Sequence, residues 1–383
     1  MKPKLVRLST VPVSLNILLK GQLRFLNQYF DVVAVSGAGK DLESVEVREG
    51  VRVHPIEIKR NISLLNDIIS LFQLFLFFKR EKPQIVHSIT PKAGLLSMLA
   101  AKFAGVPIRI HTFTGLIFPS RKGGIQKILI YMDRLLCMCA THIYPEGRGV
   151  KEDLIKYKIT RKPLKVIANG NVNGINTNYF SHQQISEESK QNLKTELGIQ
   201  ENDFVYIFVG RLVGDKGINE LVEAFKKIQN HNIKLLLVGA EERELDPLLQ
   251  KTIEEIGIND NILAVGYQKD VRPYFAIADA LVFPSYREGF PNVVMQAGAM
   301  GLPSIVSDIN GCNEIIINYK NGIIIHPKNT EALQSAMEQL VNDNQLYNQL
   351  KSQSRKMIES RYQQRLVWNE LLANYQELLN GIQ

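Results

Sequence analysis

FPSYREGFPNVVMQAGAMGLPSI, Phe283 to Ile305, reads as the end of a buried strand, a tight loop, a helix entrance and the next strand. Pro284, Gly289 and Pro291 interrupt the chain just before VVMQAGAM, and Asn292 is a residue type suited to capping the helix that follows. A helix begun in this way turns the amides of Val293 and Val294 outward, because its first turn holds no acceptor for them. Such an end attracts anions. Glu288 and Gln296 stand eight positions apart across this entrance. Strand, turn, helix and strand in that order are the repeating step of a parallel α/β sheet.

Outward from this junction the same rhythm continues in both directions. In the first half LVRLS, DVVAVS, VRVHPI, QIVHS, IRIHTF, HIYP and LKVIAN have the short β-branched texture of strands, most of them closing on or running into Gly, Pro, Ser or Asn. LLKGQLRFLNQY, KAGLLSMLAAKFAG and GIQKILIYMDRLLCMC are of helix length between them. From Asn169 to Asn202 the texture turns polar and rich in Asn and Ser, which marks a domain boundary. A second series follows: FVYIFVG, IKLLLVG, NILAVG, DALVFP, PSIVS and NGIIIHP, separated by INELVEAFKKI, ELDPLLQKTIEEI and the helix after Pro291. The fold class is therefore α/β, with two Rossmann-like domains over residues 1–175 and 200–360 facing across a cleft at the carboxyl ends of their strands. The tail from Thr330 reads as two or three helices, the last of which, within 361–383, is expected to return to the amino-terminal domain.

A chain of 383 residues exceeds one ordinary core, and 45% hydrophobic with 22% charged residues is the balance of a soluble enzyme. A formal net charge of +8 asks for an anionic partner: a phosphorylated small molecule, an anionic membrane surface or nucleic acid. Nucleic acid is set aside, since base stacking wants clustered exposed aromatics that the candidate loops lack. Cys137 and Cys139 are two apart in a helix-like segment, where such neighbours do not face one another, and Cys312 is alone, so a reduced, cytoplasmic chain without a metal site is expected. The amino terminus lacks the continuous apolar core of a signal peptide. The most apolar run, Ile62 to Arg80, is broken by Asn66, Asp67 and Gln73 and falls short of a membrane span. Two readings of it stand: a helix packed on a sheet, or a helix resting on a membrane with Lys79, Arg80 and Lys82 at its end.

The first strand of the second half ends in GRLVGDKG, so Gly210, Arg211 and Lys216 leave the carboxyl edge just before a helix. Two cations there suit a diphosphate, with Arg gripping through a fork of donors and Lys as a point charge. A plain solvated basic loop is the competing reading. The spacing is not that of a Walker loop, and no GxGxxG follows the first strand of the chain, which disfavours triphosphate hydrolysis and ordinary dinucleotide binding. Gly239 and Gly266 end two further strands, and Gly266 with Tyr267 reads either as a site that presents backbone groups to a nucleobase or as a plain strand-ending glycine.

GRLVGDKG, VGYQKDV, FPSYREGFPNVVMQAGAMGLPSIVSD and NGIIIHP together resemble the retaining, nucleotide-sugar-dependent glycosyltransferases of family 4, which have the GT-B fold. The resemblance is specific in the second half and looser in the first. It implies a donor diphosphate held by Arg211 and Lys216, a sugar beside Glu288, and backbone amides near Gly289, Phe290, Asn292 and Val293 around both. The family's second glutamate, on the ribose, falls on Gln296, whose amide can accept and donate but lacks a carboxylate's charge. In RIHTFTG the position where many members carry a histidine is Thr114, so His111 at the strand end does not inherit that role and stands as a site or a structural residue. The loop from Thr10 to Ser14 and the run from Gly115 to Gly124 are expected to border the cleft from the first-domain side; Arg121, Lys122, Gly123 and Gly124 read either as a basic flap suited to a lipid diphosphate acceptor or as a solvated loop, and Asn173 stands where an Asp is more common.

The resemblance thus implies a retaining enzyme that needs no metal or other cofactor. It would take a UDP-sugar and extend a lipid-linked saccharide in capsule, O-antigen or glycan assembly; association with the inner face of the plasma membrane is a separate expectation, motivated by the Ile62–Arg80 run and the net positive charge. A catalytically weakened sugar-nucleotide-binding subunit, a GT-B epimerase and a phosphorylase are the alternatives.

Overall fold

The computed structural model describes residues 2–381 apart from 62, 230, 231, 243 and 245, with Ser120 described by its backbone alone. The chain divides into two units, Met1–Gly174 with Gln364–Gln383, and Ile175–Gln363. In the first unit β1 (Lys4–Leu8), β2 (Asp31–Ser36), β3 (Arg52–Pro55), β4 (Ile85–Ser88), β5 (Ile108–Phe113) and β6 (His142–Pro145) form one parallel sheet in the order β3-β2-β1-β4-β5-β6. In the second, β7 (Phe204–Val209), β8 (Ile233–Val238), β9 (Ile262–Gly266), β10 (Ala280–Phe283), β11 (Ser304–Ser307) and β12 (Gly322–Ile325) repeat that topology as β12-β11-β10-β7-β8-β9. Each unit is therefore Rossmann-like, with its chain order reversing at β1/β4 or β7/β10, where open sheets of this kind leave room for ligands at the carboxyl ends.

Alternation along the strands sorts the first unit into two layers. Val6, Leu8, Val33, Val35 and Val86 pack under Leu74, Phe77 and Phe78 of the Leu64–Glu81 helix and Leu96 of the Pro91–Ala104 helix. Leu5, Val32, Ala34 and Ile85 face the other way, against Leu23, Phe30, Trp368 and Leu371. Because both faces are covered, the strands read as near-continuous apolar runs.

The Gln364–Asn380 helix is tied to the first sheet by buried polar contacts as well. Trp368 Nε1 donates to Asn173 Oδ1 at 2.7 Å, and Asn173 Nδ2 donates to the Lys20 carbonyl at 3.1 Å. An aspartate at 173 would lose that second bond. The Arg7 guanidinium, fully buried in β1, donates to Tyr375 Oη at 2.6 Å and to His87 Nδ1 at 2.7 Å. Burial and the adjacent guanidinium hold the His87 pKa well below the ordinary imidazole value. The neutral ring accepts at Nδ1 and donates from Nε2 to Thr112 Oγ1 at 2.7 Å.

Three expectations need correction. LKVIAN is not a strand: Pro163 precedes it, Leu164 makes a lone bridge to Ile143, and Ala168 at φ 49° turns the chain away. The single helix expected over LLKGQLRFLNQY is instead Pro12–Leu18 and Gln22–Leu26, broken at Gly21. Gly21 has φ 82°, and a Cβ there would lie 2.8 Å from the Trp368 ring, so the close approach of that indole requires glycine. The helix expected from Glu244 begins only at Gln250. The helix expected over Ile62–Arg80 runs Leu64–Glu81, and Ile62 lies outside the described residues. Among the described residues no helix is long and apolar enough to cross a membrane.

Asp133 sits half-buried on the Gly123–Cys139 helix, where burial pushes its carboxyl up to about 7. One turn on, burial and this carboxylate push the Cys137 thiol up to about 12. With the folded pKa above the unfolded value, the native state binds the extra proton from about pH 4 to pH 7, so this group lowers stability as pH rises through that window. Asp133→Asn should therefore raise Tm more at pH 8 than at pH 4 when melting is followed by circular dichroism; an equal effect at both values would contradict the assignment.

Candidate functional site

In the second unit the loops that leave β7 and β10 meet beside the switch point. The loop after β7 closes in a short 3-10 turn, Gly214–Lys216, before the Ile218–Lys227 helix. Gly217 joins the two at φ 73°, and a Cβ there would stand 2.3 Å from the Pro284 carbonyl oxygen. The missing side chain lets the two loops touch. Tyr286 N–H then donates to the Asp215 carbonyl at 2.9 Å, and Arg287 pairs with Asp215 at 3.0 Å.

This contact sets Lys216 against Glu288. The ammonium bonds the Glu288 carboxylate directly, both side chains being 17% exposed, and lies 5.8 Å from the centre of the Phe283 ring. Ser285 Oγ donates to the same Glu288 oxygen at 3.0 Å. Cys312 is buried close by, and burial first, then the Glu288 carboxylate, push its thiol well above its ordinary pKa, so it stands as a neutral neighbour. Arg211, more exposed, pairs with Glu242. Asp246 braces the turn by accepting the Asp215 amide at 2.6 Å. Tyr286 is raised by burial and by its hydrogen bond to Glu220, and its ring carries the Lys328 ammonium at 4.5 Å.

The helix behind this pair is Asn292–Ala299, and its cap differs from the expected one. Pro291 holds the N-cap position, Asn292 is the first helical residue, and Val294 N–H already bonds the Pro291 carbonyl at 3.2 Å. The expected outward pair of amides is thus reduced, because a proline in extended conformation offers its carbonyl from just outside the helix. Gln296 lies half-buried one turn along, Phe290 is buried, and Gly289 is half-buried. At the neighbouring strand ends Gly210 N–H bonds Val238 and Gly239 N–H bonds Gly266, both at 2.9 Å, while Tyr267 is 75% exposed. Gly210, Arg211, Lys216, Gly266, Glu288 and the Asn292 helix start thus all leave the carboxyl edge of one sheet. Ser285, Asp215, Asp246 and Phe283 were not singled out from sequence; Ser285 and Asp215 do adjoin residues that were.

The first-unit candidates are placed differently. His111 is fully buried in β5, its Nδ1 bonded to Ser88 Oγ at 2.8 Å, and burial pushes its pKa down to about 3. It is a neutral packing residue between Gly94 and Phe113, whereas Thr114, half-buried, donates to the Ile89 carbonyl at 3.0 Å. Arg121 and Lys122 are exposed ahead of the Gly123–Cys139 helix. Among the described residues no three His, Cys, Asp or Glu side chains come together in a way that could hold a metal ion.

Two Rossmann-like units of matching topology are the architecture of the GT-B glycosyltransferases. Solved structures share it along the whole chain: a Rickettsia africae glycosyltransferase with TM-score 0.82 at 19% identity, covering 99% of each chain, and Anabaena HepE, solved in complex with UDP-glucose, with TM-score 0.81 at 17% identity, covering 98% of this chain and 99% of HepE. The family model of glycosyl transferases group 1 matches residues 189–357, and that of the glycosyl transferase 4-like domain matches residues 25–170. The capsular polysaccharide biosynthesis glycosyltransferase CapM of Staphylococcus aureus is 32% identical over 380 residues, spanning 98% of this chain and 97% of CapM. The UDP-Gal:alpha-D-GlcNAc-diphosphoundecaprenol alpha-1,3-galactosyltransferase of Escherichia coli is 30% identical over 288 residues, 74% of this chain and 73% of the relative. The chain belongs to the glycosyl transferases group 1, and it is a glycosyltransferase of GT-B fold.

The Gly217 contact can be tested by stability alone. Gly217→Ala should cost roughly 1–3 kcal/mol from the left-handed backbone, before the clash with the Pro284 carbonyl is counted. Gly257→Ala, in a helix with nothing near its Cβ, should be neutral or stabilising. Denaturant melts that rank the two variants the other way would refute the loop contact.

Proposed function

We propose that this enzyme transfers a hexose or N-acetylhexosamine, with retention, from a nucleotide sugar, a UDP-sugar foremost, to a lipid-linked saccharide during assembly of a bacterial surface polysaccharide. The observation that carries the reading is the Lys216–Glu288 pair at the switch point, with Arg211 earlier on the same loop as Lys216 and the Asn292 helix start behind it. As the glycosidic bond of the donor breaks, negative charge gathers on the departing nucleoside diphosphate. Arg211 and Lys216 neutralise it, and because they are held in place beforehand they stabilise the transition state more than the ground state. Glu288 then faces the sugar, orienting its hydroxyls and offsetting positive character at the anomeric carbon. Gln296 meets the ribose through its amide, and Gly266 with Tyr267 borders the base. The cations of this step are side chains, so it runs without a metal ion.

The acceptor reading draws support from relatives: the Escherichia coli enzyme is named for a diphosphoundecaprenol substrate, and the Staphylococcus aureus one for capsule synthesis. It places the acceptor on the first unit and the reaction at the inner face of the plasma membrane.

Lys216→Ala should slow transfer by about 10²-fold or more, the scale of one preorganised electrostatic contact. Near-normal turnover of the purified variant would remove Lys216 from the mechanism. Gln296→Glu should keep activity, while Gln296→Ala should chiefly weaken the donor; calorimetry showing unchanged UDP-sugar affinity in Gln296→Ala would take the ribose contact away.

A further inference from the structure

The last helix of the chain leaves a gap where it covers the first sheet. Between them lies a cavity of about 20 Å³, walled by Arg7, His87 and Thr112 from β1, β4 and β5, by Glu146 and Asn171 from the segment after β6, and by Leu371 of the Gln364–Asn380 helix. A buried space needs about 10–15 Å³ or more to hold one water, so this one takes a single small occupant. Its strand side is polar. Buried polar groups cost free energy when they go without partners, which makes the groups that face this cavity a statement about what belongs in it.

The charges and protons around it can be counted. Arg7 is 1% exposed, and a guanidinium keeps its charge inside a protein. Its Nη1 donates to Tyr375 Oη and His87 Nδ1, and among the described residues no carboxylate forms an ion pair with it. Both partners are neutral: His87 through burial and the adjacent guanidinium, and Tyr375 because burial raises its phenol pKa. The buried Arg7 Nε has no hydrogen-bond partner at all. His87, accepting at Nδ1, directs its Nε2 proton to Thr112 Oγ1, and that hydroxyl then has its own proton to give. Two donors and a whole positive charge thus border the cavity. Glu146 is the one carboxylate among the described lining residues, and it forms no ion pair with Arg7. A cation would be repelled here, whereas a water would satisfy the donors but leave the charge uncompensated, which is costly in an interior. Phosphate and sulfate are too large for the space.

We propose that this cavity binds one small monovalent anion of the chloride class, seated against Arg7 Nε and the Thr112 hydroxyl. The ion takes the place that a carboxylate would hold beside the guanidinium and accepts both donors. Leu371 closes the cavity from the last helix, and Tyr375 of the same helix holds Arg7, so the ion joins that helix to the sheet by charge as well as by packing. It takes no part in the transfer reaction proposed above. Its consequence is stability: the seating of the last helix on the first sheet depends on chloride.

Thermal melting of the full chain at constant ionic strength tests this, with sodium gluconate, whose anion is too large for the cavity, replaced stepwise by sodium chloride. Tm should rise with the logarithm of chloride concentration once that exceeds Kd, gaining about 2–5 °C at about tenfold excess. Equal Tm in the two salts, or a change merely linear in concentration, overturns the proposal. Arg7→Gln, which keeps a donor but no charge, should melt alike in both salts; a chloride gain that survives in it would put the ion elsewhere and overturn the site. Since a buried arginine can be needed for folding, diffraction from crystals of the unaltered protein in sodium bromide decides independently. Anomalous density from bromide within hydrogen-bonding distance of Arg7 Nε is expected. An ordered water there, with no anomalous signal, would make the cavity a hydration site and overturn the proposal.

Discussion

The contact between Gly217 and the Pro284 carbonyl governs the candidate site. Lys216 and Glu288 are 72 residues apart in sequence and belong to different strand-to-helix loops. They meet because the first loop turns at a left-handed residue that has no Cβ to hold the second loop away. Once the loops touch, Tyr286, Ser285 and Arg287 find partners on Asp215 and Glu288, and the loop geometry is over-determined by several polar contacts. A site built this way is stiff, which electrostatic catalysis needs, since donors that must reorganise during the reaction lose much of their effect.

The first unit uses its polar residues in the opposite manner. Arg7, His87, Thr112 and Tyr375 form a buried network that anchors the last helix to the sheet, and His111 is locked between Ser88 and Phe113. Both imidazoles are held neutral by burial, so they are ill suited to deliver a proton near pH 7.

Much of the fold was legible in the sequence, and the exceptions share a cause. The twelve strands of the two sheets fall, to within one residue, on the short β-branched runs of the sequence, because strands buried on both faces carry that texture themselves. LKVIAN has the same texture without a neighbour to pair with beyond one bridge, and nothing local announces that. The break at Gly21 depends on Trp368, at the far end of the chain. In the site, Lys216, Arg211 and Glu288 were readable from residue type and from a family resemblance, whereas the pairing of Lys216 with Glu288, and of Arg211 with Glu242, is a tertiary fact. The Asn292 cap was misplaced by one residue because Pro291 and Asn292 are both plausible helix starts, and only backbone geometry separates them.

Both site cations are already paired with carboxylates of their own chain, and this bears on how a diphosphate would enter. Bare cations in a partly buried loop would repel one another and draw any anion. Here Lys216 and Arg211 are each held in place by one negative charge, and a ligand displaces a carboxylate rather than filling a vacancy. A singly charged ligand gains little from such an exchange, since it substitutes one ionic contact for another. A diphosphate brings more charge and more acceptor oxygens than the carboxylate it replaces, so the exchange favours it and discriminates against lesser anions. On the proposed reading the exchange has a second effect: Glu288, released from Lys216, becomes free to meet the sugar. Arrival of the diphosphate and readiness of Glu288 are then one event, set by a single ion pair changing partners.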